Sequence, residues 1–270
     1  MAYRFLPVTH SIKNWREVKA GTRPDSIFFG SELQGFLDCS QEWLKETALE
    51  YAASSSAWRY LSGYRSPNRS RDGFCKTFDV AEGFAAWALV KFLRPRVLVE
   101  LGTQYGASSS LWKEALRRYV PNHELILCDL KDERRFIRDE ECTFFQGDAR
   151  RILPEIFSSR KVDLLFNDAH PYDLIRWSVQ EGLKQGVKTF VFHDVGAKHP
   201  RTGFKRESTR FKPEEKEHLS EAYERCGRWE RHVMAEIFGK EILFEESLQT
   251  PSARAQIFDS LYGLGAVVRV

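Results

Sequence analysis

The stretch VLVELGTQYGASSS, residues 97–110, decides how this chain is read. Its opening VLVEL is an apolar run interrupted only by Glu100, and such a run ahead of a turn signal predicts a buried strand. Gly102 and Gly106 supply the turn, and SSSLWKEALRRY (108–119) has the apolar spacing of a helix. The GxxxG spacing is not the GxGxxG of a dinucleotide fingerprint, but it occupies the same place, after a strand and before a helix. Helix starts of this kind attract anions through their free backbone N–H groups. Glu100 is the odd member, because a carboxylate at the end of an apolar strand is costly to bury unless it binds something.

Outward from this stretch the chain alternates strand and helix. ELILCDL (124–130), CTFFQGD (142–148), VDLLFND (162–168) and KTFVFHDV (188–195) read as further strands after RVLVEL (96–101). Between them lie a charged helical patch at 131–139, a short helix at 149–157 and a longer one at 172–186. Near-continuous apolar strands that alternate with amphipathic segments predict an α/β fold, a doubly wound and mainly parallel sheet covered on both faces. Helices are also expected at 40–53, with Ser40 as N-cap, at 79–93 and near 213–226. The closing LYGLGAVVRV reads as an edge strand, antiparallel to the rest. Residues 1–73 are expected to form an N-terminal helical extension or lid, and 74–270 the main domain.

Ligands of open α/β sheets sit beyond the carboxyl ends of the strands, where strand order reverses. Each of the five predicted strands carries an acid there: Glu100, Asp129, Asp148, Asp168 and Asp194, with His170 and His193 beside the last two. Asp168 and Asp194 can also be read as caps of the following segments. Five acids along one cleft favour hydroxyls, amines or cations as ligands. Asp129 stands where a carboxylate would grip both hydroxyls of a ribose.

The succession VELGTQYGASS, CDL, QGDA, FNDAHPYD and FVFHDV resembles the class I S-adenosylmethionine-dependent methyltransferases, with their Rossmann-like fold. It is most similar to the small-molecule O-methyltransferases of the catechol type and of the sugar and antibiotic-tailoring type. The similarity covers about residues 74–195. It implies that Glu100, Gly102, Thr103, Gln104, Tyr105, Gly106 and Ser108 hold the methionine part of S-adenosylmethionine. It further implies that Asp129 holds the ribose, Asp148 and Ala149 the adenine edge, and that Asp168 also borders the cofactor. Asp168, His193 and Asp194 fall where relatives bind a divalent metal. His193 departs from the usual acid at its place, and imidazole suits zinc, iron or manganese better than magnesium. His170, His193 and Asp168 are then the candidate catalytic groups, the histidines as bases for an acceptor hydroxyl.

Composition bounds the alternatives. At 270 residues with 42% apolar and 13% aromatic content the chain can bury a sizeable core. A net charge of +3 does not by itself point to nucleic acid. Five scattered cysteines without a CxxC pair argue against a disulfide framework or structural zinc, and favour a reducing compartment. The first residues lack the apolar core of a signal peptide, and no apolar run reaches membrane-span length, so a cytoplasmic protein is expected. Two basic segments, YRSPNRSRDGFCK (64–76) and KHPRTGFKRESTRFK (198–212), are expected to rim the acceptor pocket and steer an acidic acceptor. Trp15, Trp43, Trp58 and Tyr60 would serve acceptor specificity, a homodimer contact or plain core. The expected function is methyl transfer to a hydroxyl of a small molecule such as a natural product, sugar or phenol. The competing readings are an RNA or protein methyltransferase and an NAD-linked oxidoreductase. RNA is disfavoured, since strand four ends in FNDAH and not in a base-methylating motif.

Overall fold

The computed structural model describes residues 29–54, 80–196, 229–259 and 263–270. Three helices come first: α1 (Gly30–Leu37), α2 (Gln41–Ala53) and α3 (Val80–Leu93). Then follow β1 (Val97–Leu101), α4 (Ala107–Tyr119), β2 (Glu124–Asp129), β3 (Thr143–Gln146), α5 (Ala149–Ser159) and β4 (Leu164–Asn167). The chain continues through α6 (Tyr172–Lys184), β5 (Thr189–His193), α7 (Trp229–Phe238), β6 (Ser247–Gln249), β7 (Ala253–Phe258) and β8 (Leu264–Arg269).

The eight strands form one sheet in the order β3-β2-β1-β4-β5-β8-β7-β6. The pairings among β1 to β5 are parallel, while β8 runs antiparallel to both β5 and β7. The doubly wound, mainly parallel sheet is therefore as expected. Alternation along the strands explains the layers. Leu98, Leu125, Leu127, Leu164, Phe166 and Val191 face a core built with α1 to α4. Val99, Leu101, Ile126, Leu165, Phe190 and Phe192 face a second core with α5 to α7. Burial on both sides is why these strands read as continuous apolar runs. Trp112 of α4 packs edge-on against Phe166 of β4, 5.2 Å between ring centroids, so the helix after the glycine loop is fastened to the neighbouring strand.

Residues 29–54 share the first of these cores: Leu33, Phe36, Leu44 and Tyr51 are buried in it, and Phe29 and Phe36 meet Phe258 of β7. Ser40 caps α2 by accepting the Trp43 N–H at 3.1 Å. Among the described residues no helix is long and apolar enough to cross a membrane.

Two expectations are corrected. The patch at 131–139 is not a helix, and only a 3-10 turn, Asp139–Glu141, follows it. Its charges pair at short range, Arg134 with Asp132 and with Asp139, and Ile137 is its one buried residue, so no apolar stripe holds a helix there. The closing strand is antiparallel but is no edge. β8 lies inside the sheet, because β7 pairs along its whole length and β6 pairs beyond it. The expected helix near 213–226, the two basic segments and Trp15, Trp58 and Tyr60 lie outside the described residues.

Candidate functional site

Strand order reverses between β1 and β4, and the β1–α4 loop is built into that crevice. Gly102 lies at φ 87, and a Cβ there would stand 2.5 Å from the carbonyl oxygen of Asp168. Only glycine lets the first loop come this close to the end of β4. Gly106, at φ 79, precedes α4, and a Cβ there would meet Ile137 at 2.9 Å. Gln104 takes φ 46, and its N–H donates to Asp129 Oδ2 at 2.7 Å, so the acid of β2 ties down the loop of β1. The segment misread as helical supports the loop from outside: the N–H groups of Arg135 and Phe136 both donate to the Tyr105 carbonyl, and Arg135 stacks on the Tyr105 ring.

Glu100 is fully buried beneath this loop and accepts a hydrogen bond from the Ser108 hydroxyl. Burial pushes its pKa up to about 8, against the pull of Ser108 and with added repulsion from Asp168 and Asp129. Its second oxygen and the Thr103 hydroxyl are buried with no hydrogen-bond partner among the described residues. Buried polar atoms without partners are uncommon, and these two suit the amino and carboxylate groups of an amino-acid ligand. Asp148 is exposed and caps α5 through the Arg150 N–H, with Ala149 buried beside it.

The ends of β4 and β5 bring together a second group. His193, 3% exposed, has Nδ1 3.1 Å from Asp168 Oδ1 and 3.7 Å from Asp194 Oδ1. Its Nε2 is 3.3 Å from Glu82 Oε2. Glu82, fully buried on α3, also accepts the Gly263 N–H at 2.6 Å. His170 has Nδ1 3.1 Å from Glu230 Oε1, with Asp194 Oδ2 at 3.7 Å and Asp168 Oδ1 3.9 Å from Nε2. Desolvation pulls both imidazoles toward neutrality, but the surrounding acids prevail. They lift His170 to about 9 and hold His193 well above its usual range. The acids around both rings thus favour their protonated forms over the free-base forms that a general base needs.

The donor set fits a metal ion. The ligating atoms of Asp168, His193 and Asp194 lie within 4.8 Å of one another. Glu82 on the far nitrogen of His193 is the outer carboxylate that usually fixes a metal-bound histidine. Asp168, His170, His193 and Asp194, named from the sequence, thus come together, and Glu100, residues 102–106, Ser108 and Asp129 form the adjoining loop site. Asp148 stands at the head of α5, beyond the end of β3, with β2 and β1 between that strand and β4.

Sequence reasoning missed Glu82 and Glu230. Glu82 carried a signal, an acid in the otherwise apolar VAEGFAAWAL, whereas Glu230 in WERHVMAEIF carried none.

No family model and no curated protein matches the sequence. Solved structures do. A methyltransferase of Podospora anserina, bound to S-adenosylhomocysteine (SAH), matches 86% of this chain and 97% of its own, at 16% identity and a TM-score of 0.51. An O-methyltransferase of Bacillus cereus in complex with SAH matches 91% of this chain and 100% of its own, at 16% identity and 0.49. The O-methyltransferase TomG of Streptomyces achromogenes, of tomaymycin synthesis and in complex with S-adenosylmethionine, matches 82% and 89%, at 15% and 0.49. At this identity the likeness to the Podospora structure establishes the fold, the Rossmann-like sheet of methyltransferases.

Proposed function

We propose that this chain transfers the methyl group of S-adenosylmethionine to a hydroxyl of a small, acidic molecule, with a divalent ion at Asp168, His193 and Asp194. The observation that carries the reading is the glycine loop tied to Asp129 at the point where strand order reverses, directly beside an acid–histidine cluster. The likeness of fold to the SAH-bound Podospora methyltransferase supports it.

Glu100, Thr103 and the loop at 102–106 would hold the methionine part, with Ser108 fixing the Glu100 carboxyl. Asp129 would bind the ribose, and Asp148 with Ala149 the adenine edge. Methyl transfer from a sulfonium is an in-line displacement, so the residues chiefly align donor and acceptor and exclude water. Asp168, His193 and Asp194 would hold the divalent ion, which when bound would lower the pKa of an acceptor hydroxyl. His193, held from behind by Glu82, would act there as a ligand and not as a base. His170, beside Glu230 and Asp194, stands on the exposed side of this cluster, where an acceptor would approach. The acceptor's proton passes to Asp168, whose side chain is one-fifth exposed.

Calorimetry with SAH tests the reading. SAH should bind and NADH should not, and Asp129→Asn should weaken SAH at least tenfold, about 1.4 kcal/mol. Binding of NADH in preference to SAH would overturn it in favour of an oxidoreductase. Salt-sensitive RNA binding without turnover of any small hydroxylated acceptor would move the acceptor to RNA.

A further inference from the structure

We propose that the cleft holds two metal ions bridged by Asp194, the second on His170, Glu230 and Asp194. This builds on the first metal position of the function proposed above. The observation behind it is the division of one carboxylate between two donor sets. Asp194 Oδ1 lies 3.7 Å from His193 Nδ1, and Asp194 Oδ2 lies 3.7 Å from His170 Nδ1. Each oxygen faces a different imidazole, and each imidazole has a further carboxylate of its own. Asp168 Oδ1 is 3.1 Å from His193 Nδ1, and Glu230 Oε1 is 3.1 Å from His170 Nδ1.

The spacing suits two ions. Within each set the ligating atoms lie inside 4.8 Å of one another. Donors about 2.1 Å from a common ion are separated by up to about 4.2 Å, so each set closes on an ion with side-chain shifts of a few tenths of an ångström. A carboxylate that offers one oxygen to each side bridges ions about 3.5–4 Å apart, the separation of two-metal centres. Asp194 itself sits at φ 62, a left-handed conformation that costs a non-glycine residue roughly 1 kcal/mol or more and persists where surrounding structure imposes it. One imidazole and two carboxylates per ion favour manganese, iron or zinc.

The two positions differ in access. His193 and Asp194 are buried, whereas the His170 side chain is 58% exposed. The second ion therefore exchanges faster than the first, and it is the one positioned to take the acidic group of an acceptor. Glu230 comes from α7, so this position also fastens α7 to the loop after β4.

Metal content and electron paramagnetic resonance of the full chain, stripped by chelator and reloaded with Mn2+ alone, test the proposal. Wild type should hold two Mn2+ per chain with the signature of a spin-coupled pair. His170→Ala and Glu230→Gln should each hold one Mn2+, uncoupled. His170 is more than half exposed, so its substitution is expected to leave the fold intact, and thermal unfolding of each variant verifies this. One Mn2+ per chain in wild type, or two in both variants, would overturn the second position. SAH binding measured on the same samples keeps the outcomes apart. Protein that binds SAH but no Mn2+ loses both metal positions and keeps its cofactor, whereas two coupled Mn2+ without SAH binding would sink the methyltransferase reading and leave the metal pair standing.

Discussion

Glu100→Gln isolates the electrostatic cost of the acid under the glycine loop. Glutamine keeps the shape and an oxygen for the Ser108 hydroxyl, so packing is conserved and only the charge is removed. The carboxyl is raised from 4.5 to about 8 by burial. Below pH 4.5 it is protonated in both folded and unfolded chains, and above 8 it is ionised in both. Between these values the folded chain keeps a proton that the unfolded chain has lost, so its contribution to stability falls as pH rises. The slope is about 1.4 kcal/mol per pH unit, and the whole window amounts to about 5 kcal/mol. Glutamine carries no such slope. Urea denaturation at pH 5, 6, 7 and 9 should therefore show the variant gaining on wild type by about 3 kcal/mol between pH 5 and 7, with little further change above 8. Parallel stability profiles for the two proteins would refute the assignment of a neutral, buried Glu100.

The close approach at Gly102 makes a second prediction: Gly102→Ala should cost at least about 2 kcal/mol and abolish SAH binding, since strain at positive φ is joined by the clash with Asp168. Gly186→Ala is its control, with φ 80 but open space around the added methyl, and should cost only about 1 kcal/mol in denaturant titrations. Arg134 holds the segment behind Tyr105 through Asp132, Asp139 and the Phe144 ring. Arg134→Ala should cost about 1–2 kcal/mol and speed amide exchange at Arg135 and Phe136, with weaker SAH binding; unchanged exchange there would show that the segment does not depend on this network.

Much of the site was legible because a parallel sheet imposes a simple rule. Every strand of β1 to β5 ends at the same edge, so acids and histidines at those ends converge without any contact having to be foreseen. Glu100, Asp129, Asp168, His193 and Asp194 were found this way. Asp148 followed the same rule, and at the end of β3 it also caps α5. The segment at 131–139 was misread because composition favours a helix there, whereas its backbone N–H groups are spent on the Tyr105 carbonyl.

By itself the sequence determined the layered α/β fold, the glycine loop and the acids at the strand ends, because hydrophobic period and turn chemistry are local properties. Tertiary structure decided what those acids meet. Glu82 reaches His193 across 111 residues, and Glu230 reaches His170 across 60. No periodicity links such positions. They meet because α3 and α7 lie on opposite faces of the sheet and both approach the ends of β4 and β5. That convergence divides the oxygens of Asp194 between two imidazoles and gives each imidazole a carboxylate from a distant helix.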